Sequence, residues 1–343
     1  MNVKAFRGIK NLCLDDLSLI NILVGSNNCG KTSLLEAIKI MENPEDLGSI
    51  LRVASGRRTM NNDNFLRVAN SIFQDTGEEF CIDIQADINN VNFELRVVAE
   101  NKSILNIGTG EDDGTDVIES NNRGLEGRLL VLENGKKINK KNTFSIYNYS
   151  TVKIDESKKN FKSIYVHSNV NYYTSCVKFI KDNIVNNTFK KDTLIQMIRI
   201  FDTSINDISI IDSEIYLHDN ENNSKPLFSY GNGTQKAVLL AAVMAQCEDG
   251  VMLIDEIDNA IHKTALKDIF QNFISACKEM NIQTFITTHS IEALDIMLEV
   301  NENMSSDSIR VITLKKDVQN TVARVLTGAE AINVRDEYNL ELR

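Results

Sequence analysis

An eight-residue stretch near the N-terminus constrains this chain more than any other feature, because it matches the phosphate-loop pattern of a glycine, four residues and Gly-Lys-Thr. Its sequence is Gly25-Ser26-Asn27-Asn28-Cys29-Gly30-Lys31-Thr32. The apolar run Ile20–Val24 before it predicts a buried strand, and the spacing of leucines and isoleucines over 33–41 predicts a helix. A strand, a glycine-bounded loop and a helix form the context that the motif requires, whereas a chance match in an ordinary loop is the alternative. The stretch, called the phosphate loop below, predicts a nucleotide site.

Each part of the phosphate loop has a predicted task. Gly25 and Gly30 let the backbone turn its N–H groups inward as an anion nest, at the positive end of the following helix. Lys31 is expected to reach the β- and γ-phosphates, and Thr32 to hold Mg²⁺. The predicted nucleotide contacts in this region are Gly25, Ser26, Asn27, Asn28, Cys29, Gly30, Lys31, Thr32 and Ser33.

Composition limits the class of protein. The 343 residues are 42% hydrophobic and 25% charged, which is typical of a soluble globular protein with a substantial core. We expect a cytoplasmic protein, since the sequence has neither an apolar run of membrane-spanning length nor a signal peptide at its start. The net charge of −11 argues against a broadly basic nucleic-acid-binding protein, although it leaves room for a local basic groove.

A second motif follows the apolar run Val251–Ile254, which predicts a strand buried on both faces. Asp255 and Glu256 leave the end of this strand in the Walker B arrangement, where open α/β sheets place their ligands. Asp255 is predicted to hold Mg²⁺ through water, and Glu256 to act as general base on the attacking water. The alternative is that these acids cap the helix that follows.

Two further stretches carry polar residues toward the same machinery. Gly231–Lys236, called the signature stretch, precedes an apolar helix and predicts a second anion site at the helix start. Its Lys236 is expected to be solvated. His289 follows the strand Gln283–Ile286 in the stretch Thr287-Thr288-His289-Ser290, and the alternative for it is a buried histidine that caps the next helix.

The region between the motifs predicts strands and then helices. Period-two alternation over 80–88 and 91–98 predicts a hairpin across Asn89-Asn90, and residues 99–125 are predicted to be a solvated turn region. Helical spacing over 170–200 predicts two helices that form an arm or small subdomain. Lysines 178, 181, 190 and 191 make this arm basic, which indicates a solvated helix face or, alternatively, a nucleic-acid patch.

The order of the motifs resembles that of the ABC-type ATPases of the SMC, RecF and OLD-nuclease kind, and above all the OLD-like ATPases of bacterial anti-phage systems. The resemblance covers nearly the whole chain, from Phe6–Leu12 through the phosphate loop and the signature stretch to Ile254–His262 and Thr287–Ser290. It implies an ATP- and Mg²⁺-dependent homodimer in which two heads meet head to tail. Asn232, Gly233 and Gln235 of one subunit would then contact the nucleotide of the other.

The resemblance also implies that His289 contacts the γ-phosphate and that Asp258 lies in the loop linking the two sites. The chain departs from transporter ATPases, because its signature stretch lacks Leu-Ser-Gly-Gly-Gln and only Gln74 offers itself as a glutamine-loop residue. Cys29 stands where Gly or Ser is usual. These departures leave the rate of hydrolysis open.

The predicted fold class is α/β, a P-loop NTPase with an ABC-type ATPase head, an N-terminal antiparallel β subdomain and an inserted helical arm. The predicted domains are an N-terminal lobe at 1–168, the helical arm at 169–201 and a C-terminal lobe at 202–343 with signature, Walker B and histidine switch.

Three functions fit these motifs. The first is an ATPase that controls a separately encoded effector, a nuclease or toxin, in phage defence, because the acidic cluster of the OLD nuclease domain is not found after His289. The second is a RecF- or SMC-like ATPase that clamps DNA. The third, a transporter subunit, is disfavoured by the signature stretch, and a scaffold that binds ATP with little hydrolysis is a further alternative.

Overall fold

The structure is a computed structural model that describes residues 1–55, 65–75, 79–106, 120–146, 158–168, 171–186, 188–221, 223–257, 263–304, 307–317 and 320–338. Its strands are β1 Asn2–Phe6, β2 Ile9–Cys13, β3 Ile20–Val24, β4 Gln74–Asp75, β5 Phe80–Ile88, β6 Val91–Asn106, β7 Ser120–Glu133, β8 Lys136–Lys137, β9 Thr143–Ile146, β10 Ser163–Val166, β11 Ile205–Ile211, β12 Glu214–Asp219, β13 Ser224–Pro226, β14 Val251–Ile254, β15 Gln283–Thr287, β16 Ile309–Lys316 and β17 Thr321–Thr327. Its helices are α1 Lys31–Met41, α2 Leu47–Ser55, α3 Phe65–Asn70, α4 Tyr172–Asn186, α5 Thr188–Phe201, α6 Asn232–Gln246, α7 Lys263–Glu279, α8 Ile291–Asn303 and α9 Gly328–Tyr338.

The chain divides into two compact units. The first, called the antiparallel unit, comprises Met1–Leu14, Glu36–Asn160 and Lys316–Val322. The second, called the parallel unit, comprises Asp15–Leu35, Phe161–Lys315 and Ala323–Arg343. Every described residue of the predicted nucleotide site lies in the parallel unit. The predicted domain boundaries at 168 and 201 stay a prediction.

The antiparallel unit is built on a sheet with the strand order β2-β1-β5-β6-β7-β8, in which β4 also pairs with β5 and β9 with β7. The predicted hairpin is confirmed, since Ile88 pairs with Val91 across Asn89 and Asn90. Both asparagines have positive φ, 51° and 64°, as a two-residue hairpin loop requires.

The predicted turn region at 99–125 is wrong at both of its ends. Strand β6 continues to Asn106 and β7 begins at Ser120, with pairs from Ala99↔Gly127 to Asn106↔Ser120. Polar composition predicted a loop, but each strand satisfies the backbone groups of the other whatever the side chains are. The acidic pair Asp112-Asp113 lies outside the described residues.

The parallel unit is built on the strand order β10-β14-β15-β3-β16-β17. Strands β10, β14, β15, β3 and β16 run parallel to one another, so their carboxyl ends share one edge of the sheet. Strand β3 is buried at all five positions and β14 at three of its four, as their apolar sequences predict. A separate sheet, β11-β12-β13, completes the unit.

The two predicted helices of 170–200 are present as α4 and α5, and both contribute to the core of the parallel unit. Cys176, Ile180, Leu194 and Ile198 are all buried, in one cluster with the apolar side of α6. The two helices are thus confirmed, whereas the inserted arm or small subdomain that they were predicted to form stays a prediction. None of the described helices is long and apolar enough to cross a membrane.

Candidate nucleotide site

The phosphate loop has the backbone that its glycines predict. Gly25 has a φ of 137° and Gly30 a φ of 113°, conformations that L side chains rarely adopt. A Cβ on Gly25 would lie 2.4 Å from the carbonyl oxygen of Leu314 and 2.9 Å from the Cys29 sulfur. The loop is therefore pressed against β16 from one side and filled by Cys29, which is 2% exposed, from within.

Lys31 is the first residue of α1 and is buried, with 6% of its surface exposed. Its ammonium donates to the carbonyl oxygens of Gly25 at 2.7 Å and Ser26 at 3.1 Å. The positive charge is thus held over the loop itself, next to the inward-facing backbone. Binding of a phosphate there would replace backbone carbonyls with charged oxygens as the acceptors, which strengthens the hydrogen bonds.

Thr32 and Asp255 contact each other directly, although 223 positions separate them in the sequence. The Thr32 hydroxyl lies 3.2 and 3.3 Å from the two carboxylate oxygens of Asp255. Thr287 donates to the same carboxylate at 2.7 Å, and Ser168 lies 3.4 Å from it. The donor set of a hydroxyl and a carboxylate suits Mg²⁺, which prefers oxygen ligands.

Glu256, the predicted general base, has an unusual backbone conformation. Its φ is +55°, in the left-handed region that non-glycine residues enter at a cost of about 1–2 kcal/mol. Its N–H donates to the hydroxyl of Thr287 at 2.8 Å. Thr287 therefore holds both carboxylate-bearing residues of the Walker B pair, Asp255 through its side chain and Glu256 through its backbone.

His289 lies just beyond the end of β15, which is the strand between β14 and β3. It is exposed, so the alternative of a buried capping histidine is wrong. The cap of α8 is Ser290, whose hydroxyl accepts from the N–H of Ala293 at 3.1 Å. His289 therefore stands at the carboxyl edge of the parallel sheet, as do the phosphate loop and Asp255, and its contact with a γ-phosphate stays a prediction.

The signature stretch opens α6, with Gly231 as the residue before the helix. Asn232 is exposed and Gly233 half-buried, but Gln235 is only 9% exposed. The side-chain amide of Gln235 donates to the backbone carbonyl of Tyr230 at 2.8 Å, and the backbone carbonyl of Gln235 accepts from the thiol of Cys176 at 3.3 Å. Burial raises the pKa of that thiol. Gln235 thus braces the start of α6 in this structure, and its predicted contact with a nucleotide stays a prediction.

The expectation that the charge of Lys236 is solvated is wrong. The side chain is 2% exposed, and its ammonium donates to the backbone carbonyls of Glu256 at 3.1 Å and Ile257 at 2.6 Å. The expectation failed because α6 is buried along nearly its whole length, leaving the lysine no route to water.

Three residues with contacts in the site escaped the sequence analysis as site residues: Thr287, Ser168 and Lys236. Thr287 could have been found from the sequence, because its hydroxyl directly follows an apolar run. Parallel strands bring their carboxyl ends together, so a polar residue at such an end lies near the site. Ser168 carries no comparable signal, since β10 is short and was not predicted. Asp258 and His262 lie outside the described residues.

A cavity of about 700 Å³ lies elsewhere, over the antiparallel sheet. Arg96, Arg128, Glu100 and Leu130 are among its lining residues, and none of the predicted nucleotide contacts lines it. Its mixed charges do not point to one ligand, so the candidate site is the edge of the parallel sheet.

The fold and the site together define a P-loop ATPase of the AAA type. A family described as "AAA domain, putative AbiEii toxin, Type IV TA system" matches residues 20–295. The chain belongs to this family.

Several individual proteins are similar to the chain. A Helicobacter pylori protein named ATP/GTP phosphatase is 24% identical over 352 residues, covering 96% of this chain and 95% of that protein. An uncharacterized protein of Methanocaldococcus jannaschii is 28% identical over 115 residues, 33% of this chain and 98% of its own length.

Among solved structures, the Smc head domain of Pyrococcus furiosus, bound to the C-terminal domain of ScpA, has a TM-score of 0.52 at 12% identity, covering 99% of this chain and 98% of that one. A second Smc head, bound to the C-winged helix domain of ScpA, has a TM-score of 0.51 at 13% identity, over 96% and 100%. At such identities the likeness shows the fold alone, and the fold is that of an SMC head.

Proposed function

We propose that this ATPase forms a head-to-tail homodimer around two ATP molecules and thereby switches a separately encoded effector, a nuclease or toxin, in bacterial anti-phage defence. The observation that carries the chemistry is the direct contact of Thr32 with Asp255, beside the buried Lys31. The dimer is supported by the exposure of Asn232 at the start of a helix that is buried from Gln235 to Ala245.

In the proposed reaction, ATP is hydrolysed to ADP and phosphate. Lys31 and the loop N–H groups neutralise the phosphates, and Glu256 accepts a proton from the attacking water. Thr32 and Asp255 would hold Mg²⁺, which offsets charge on the β- and γ-oxygens. His289 and the partner's signature stretch complete the site around the γ-phosphate.

The family description names a putative toxin of a type IV toxin–antitoxin system, which associates the family with systems of paired proteins. The Smc heads with the same fold were solved with a bound protein, ScpA. A γ-phosphate switch that docks and releases a protein partner is a common use of such ATPases.

The test is native mass spectrometry of the Glu256→Gln protein, mildly purified from its host, with and without ATP and Mg²⁺. We expect an ATP-bound dimer or a multiple of it that carries a second protein, whose mass identifies the effector. Lys31→Ala is the matched control and is expected to stay without nucleotide. A protein that remains monomeric with ATP bound would exclude the site shared between subunits.

The likeness to SMC heads favours one alternative, an ATPase that clamps duplex DNA. Lys178 and Lys181 are exposed on α4, whereas Lys191 is paired with Asp207 at 2.8 Å. Reversing the charges of Lys178 and Lys181 tests this surface at low salt, where phosphate contacts are strongest. Unchanged affinity for duplex DNA would exclude it as the contact, and a purified dimer that retains only DNA would favour the clamp.

A further inference from the structure

Lys236 is a buried lysine that no step of the proposed reaction uses. It lies in the first turns of α6, and its ammonium reaches the backbone at the end of β14, where it donates to the carbonyls of Glu256 and Ile257. A buried charge is costly unless its hydrogen bonds are well made. A lysine in such a place is therefore held by specific contacts and, in turn, holds the groups that it contacts.

The backbone of Glu256 is held by hydrogen bonds at both its N–H and its carbonyl. Its N–H donates to the Thr287 hydroxyl at 2.8 Å, and its carbonyl accepts from Lys236 at 3.1 Å. The next residue, Ile257, is held by the same two residues. Its N–H donates to the Thr287 carbonyl at 3.1 Å, and its carbonyl accepts from Lys236. These contacts hold Glu256 in its left-handed conformation, which a residue of this type would otherwise seldom adopt.

The other end of the same helix turn faces solvent. Asn232 lies four positions before Lys236, so the two residues lie on one side of α6, one turn apart. Asn232 is exposed, whereas Lys236 is 2% exposed and contacts Glu256. One helix turn thus connects the residue proposed to meet the partner's nucleotide with the backbone of the proposed general base.

We propose that Lys236 is a positioning residue, which sets the conformation of Glu256 and makes hydrolysis in one subunit respond to the engagement of its own signature stretch by the partner's ATP. A small tilt of the first turn of α6 moves the ammonium and, through two carbonyls, the turn that carries Glu256. The inference rests on the proposed function, because it requires Glu256 to act on water.

The test compares Lys236→Met and Lys236→Arg with the parent protein. The methionine keeps the length and apolar stem but removes the donor, and we expect kcat to fall by about 100-fold, as misplacement of a catalytic group can cost. KM and the ATP-dependent dimer are expected to stay near their parental values. Arginine can donate to both carbonyls and is expected to recover part of kcat. Lys267→Met, which removes an exposed lysine paired with Glu299, is the matched control and is expected to leave kcat unchanged.

A double-mutant cycle with Asn232→Ala tests the coupling itself. If Asn232 acts through Lys236 in addition to its direct contact with the partner's nucleotide, the loss of kcat caused by Asn232→Ala is smaller in Lys236→Met than in the parent, whereas fully additive losses would overturn the coupling. If Lys236→Met does not fold, Lys236→Gln replaces it, because its donor is one bond shorter and misses the carbonyls. Parental kcat in the folded variant overturns the inference alone, whereas a parent protein without ATPase activity overturns the proposed function first.

Discussion

The two ends of the candidate site are built differently. At the phosphate loop, Lys31 and Asp255 are buried and Thr32 half-buried, and hydrogen bonds join Lys31 to the loop and Thr32 to Asp255. At the signature stretch, Asn232 is exposed, while Lys236 turns inward to the backbone of Glu256. The phosphate-loop end is therefore assembled within one chain, whereas the signature-stretch end exposes a polar residue to solvent. Binding and hydrolysis of ATP are therefore expected to have different requirements.

The largest effect is expected at the assembled end. Lys31→Ala removes the charge that is proposed to bind the phosphates, and loss of about 3 kcal/mol of charged hydrogen bonds corresponds to a roughly 100-fold weaker affinity for ATP. Titration calorimetry with ATP and Mg²⁺ measures it. Lys267→Ala is the control, because Lys267 lies outside the predicted nucleotide contacts and makes an exposed ion pair with Glu299. If Lys31→Ala bound ATP with the parental affinity, the phosphate loop would not be the end of the site that binds the nucleotide.

Glu256→Gln separates binding from hydrolysis. We expect kcat to fall by about 100-fold or more, since a general base contributes about 10²–10⁴-fold, with the affinity for ATP unchanged. The amide has almost the shape of the carboxylate, so the backbone contacts to Thr287 and Lys236 should persist. Single-turnover kinetics with pre-bound ATP measure the step directly. Turnover at the parental rate would assign the base to another residue.

The phosphate loop and Walker B pair were predictable because their signals are local. Gly25 and Gly30 occupy positions where only glycine suits the backbone, and the strands before the two motifs are apolar at every residue except Asn21. Parallel strands then bring their ends to one edge whatever the sequence between them. Local conformation and a general rule of sheet geometry were sufficient to join Thr32 with Asp255.

Lys236 and Thr287 were not predictable in the same way, since their roles depend on distant neighbours. The burial of Lys236 follows from the packing of α6 over the turn after β14, and the role of Thr287 from the adjacency of β14 and β15. The long pairing of β6 with β7 is a third case, because two polar segments stabilise each other across residues far apart in sequence. Sequence patterns describe a residue's own segment, and these features belong to pairs of segments.

Thr287→Val sharpens the comparison with a smaller effect, because valine keeps the shape of threonine but loses the hydroxyl. Asp255 then loses one donor and the N–H of Glu256 loses its acceptor. Leaving these buried groups unsatisfied is expected to cost about 1–3 kcal/mol of unfolding free energy, and we expect kcat to fall about tenfold as Glu256 becomes less fixed. Urea unfolding and steady-state kinetics measure the two effects. Ser290→Ala, which removes the cap of α8, is the control expected to lower stability by about 1 kcal/mol without a fall in kcat.

The smallest signal tests whether the exposed end works in the partner's site. Asn232→Asp places a negative charge where the γ-phosphate of the partner's nucleotide is proposed to lie, and it is expected to be nearly inactive alone, as is Glu256→Gln.

In a mixed dimer of the two variants, one site combines both changes and the other has neither. Random mixing makes half of the dimers mixed, each with one intact site, so activity is expected to return to at most about a quarter of the parental rate. It stays below a quarter to the extent that the intact site also depends on the signature stretch of its own chain, which carries Asn232→Asp. Mixing either variant with Lys31→Ala/Asn232→Asp, which supplies neither an intact phosphate loop nor an intact signature stretch, is the control and should restore nothing. Mixtures as inactive as their components would show that hydrolysis requires Glu256 and Asn232 in the same chain.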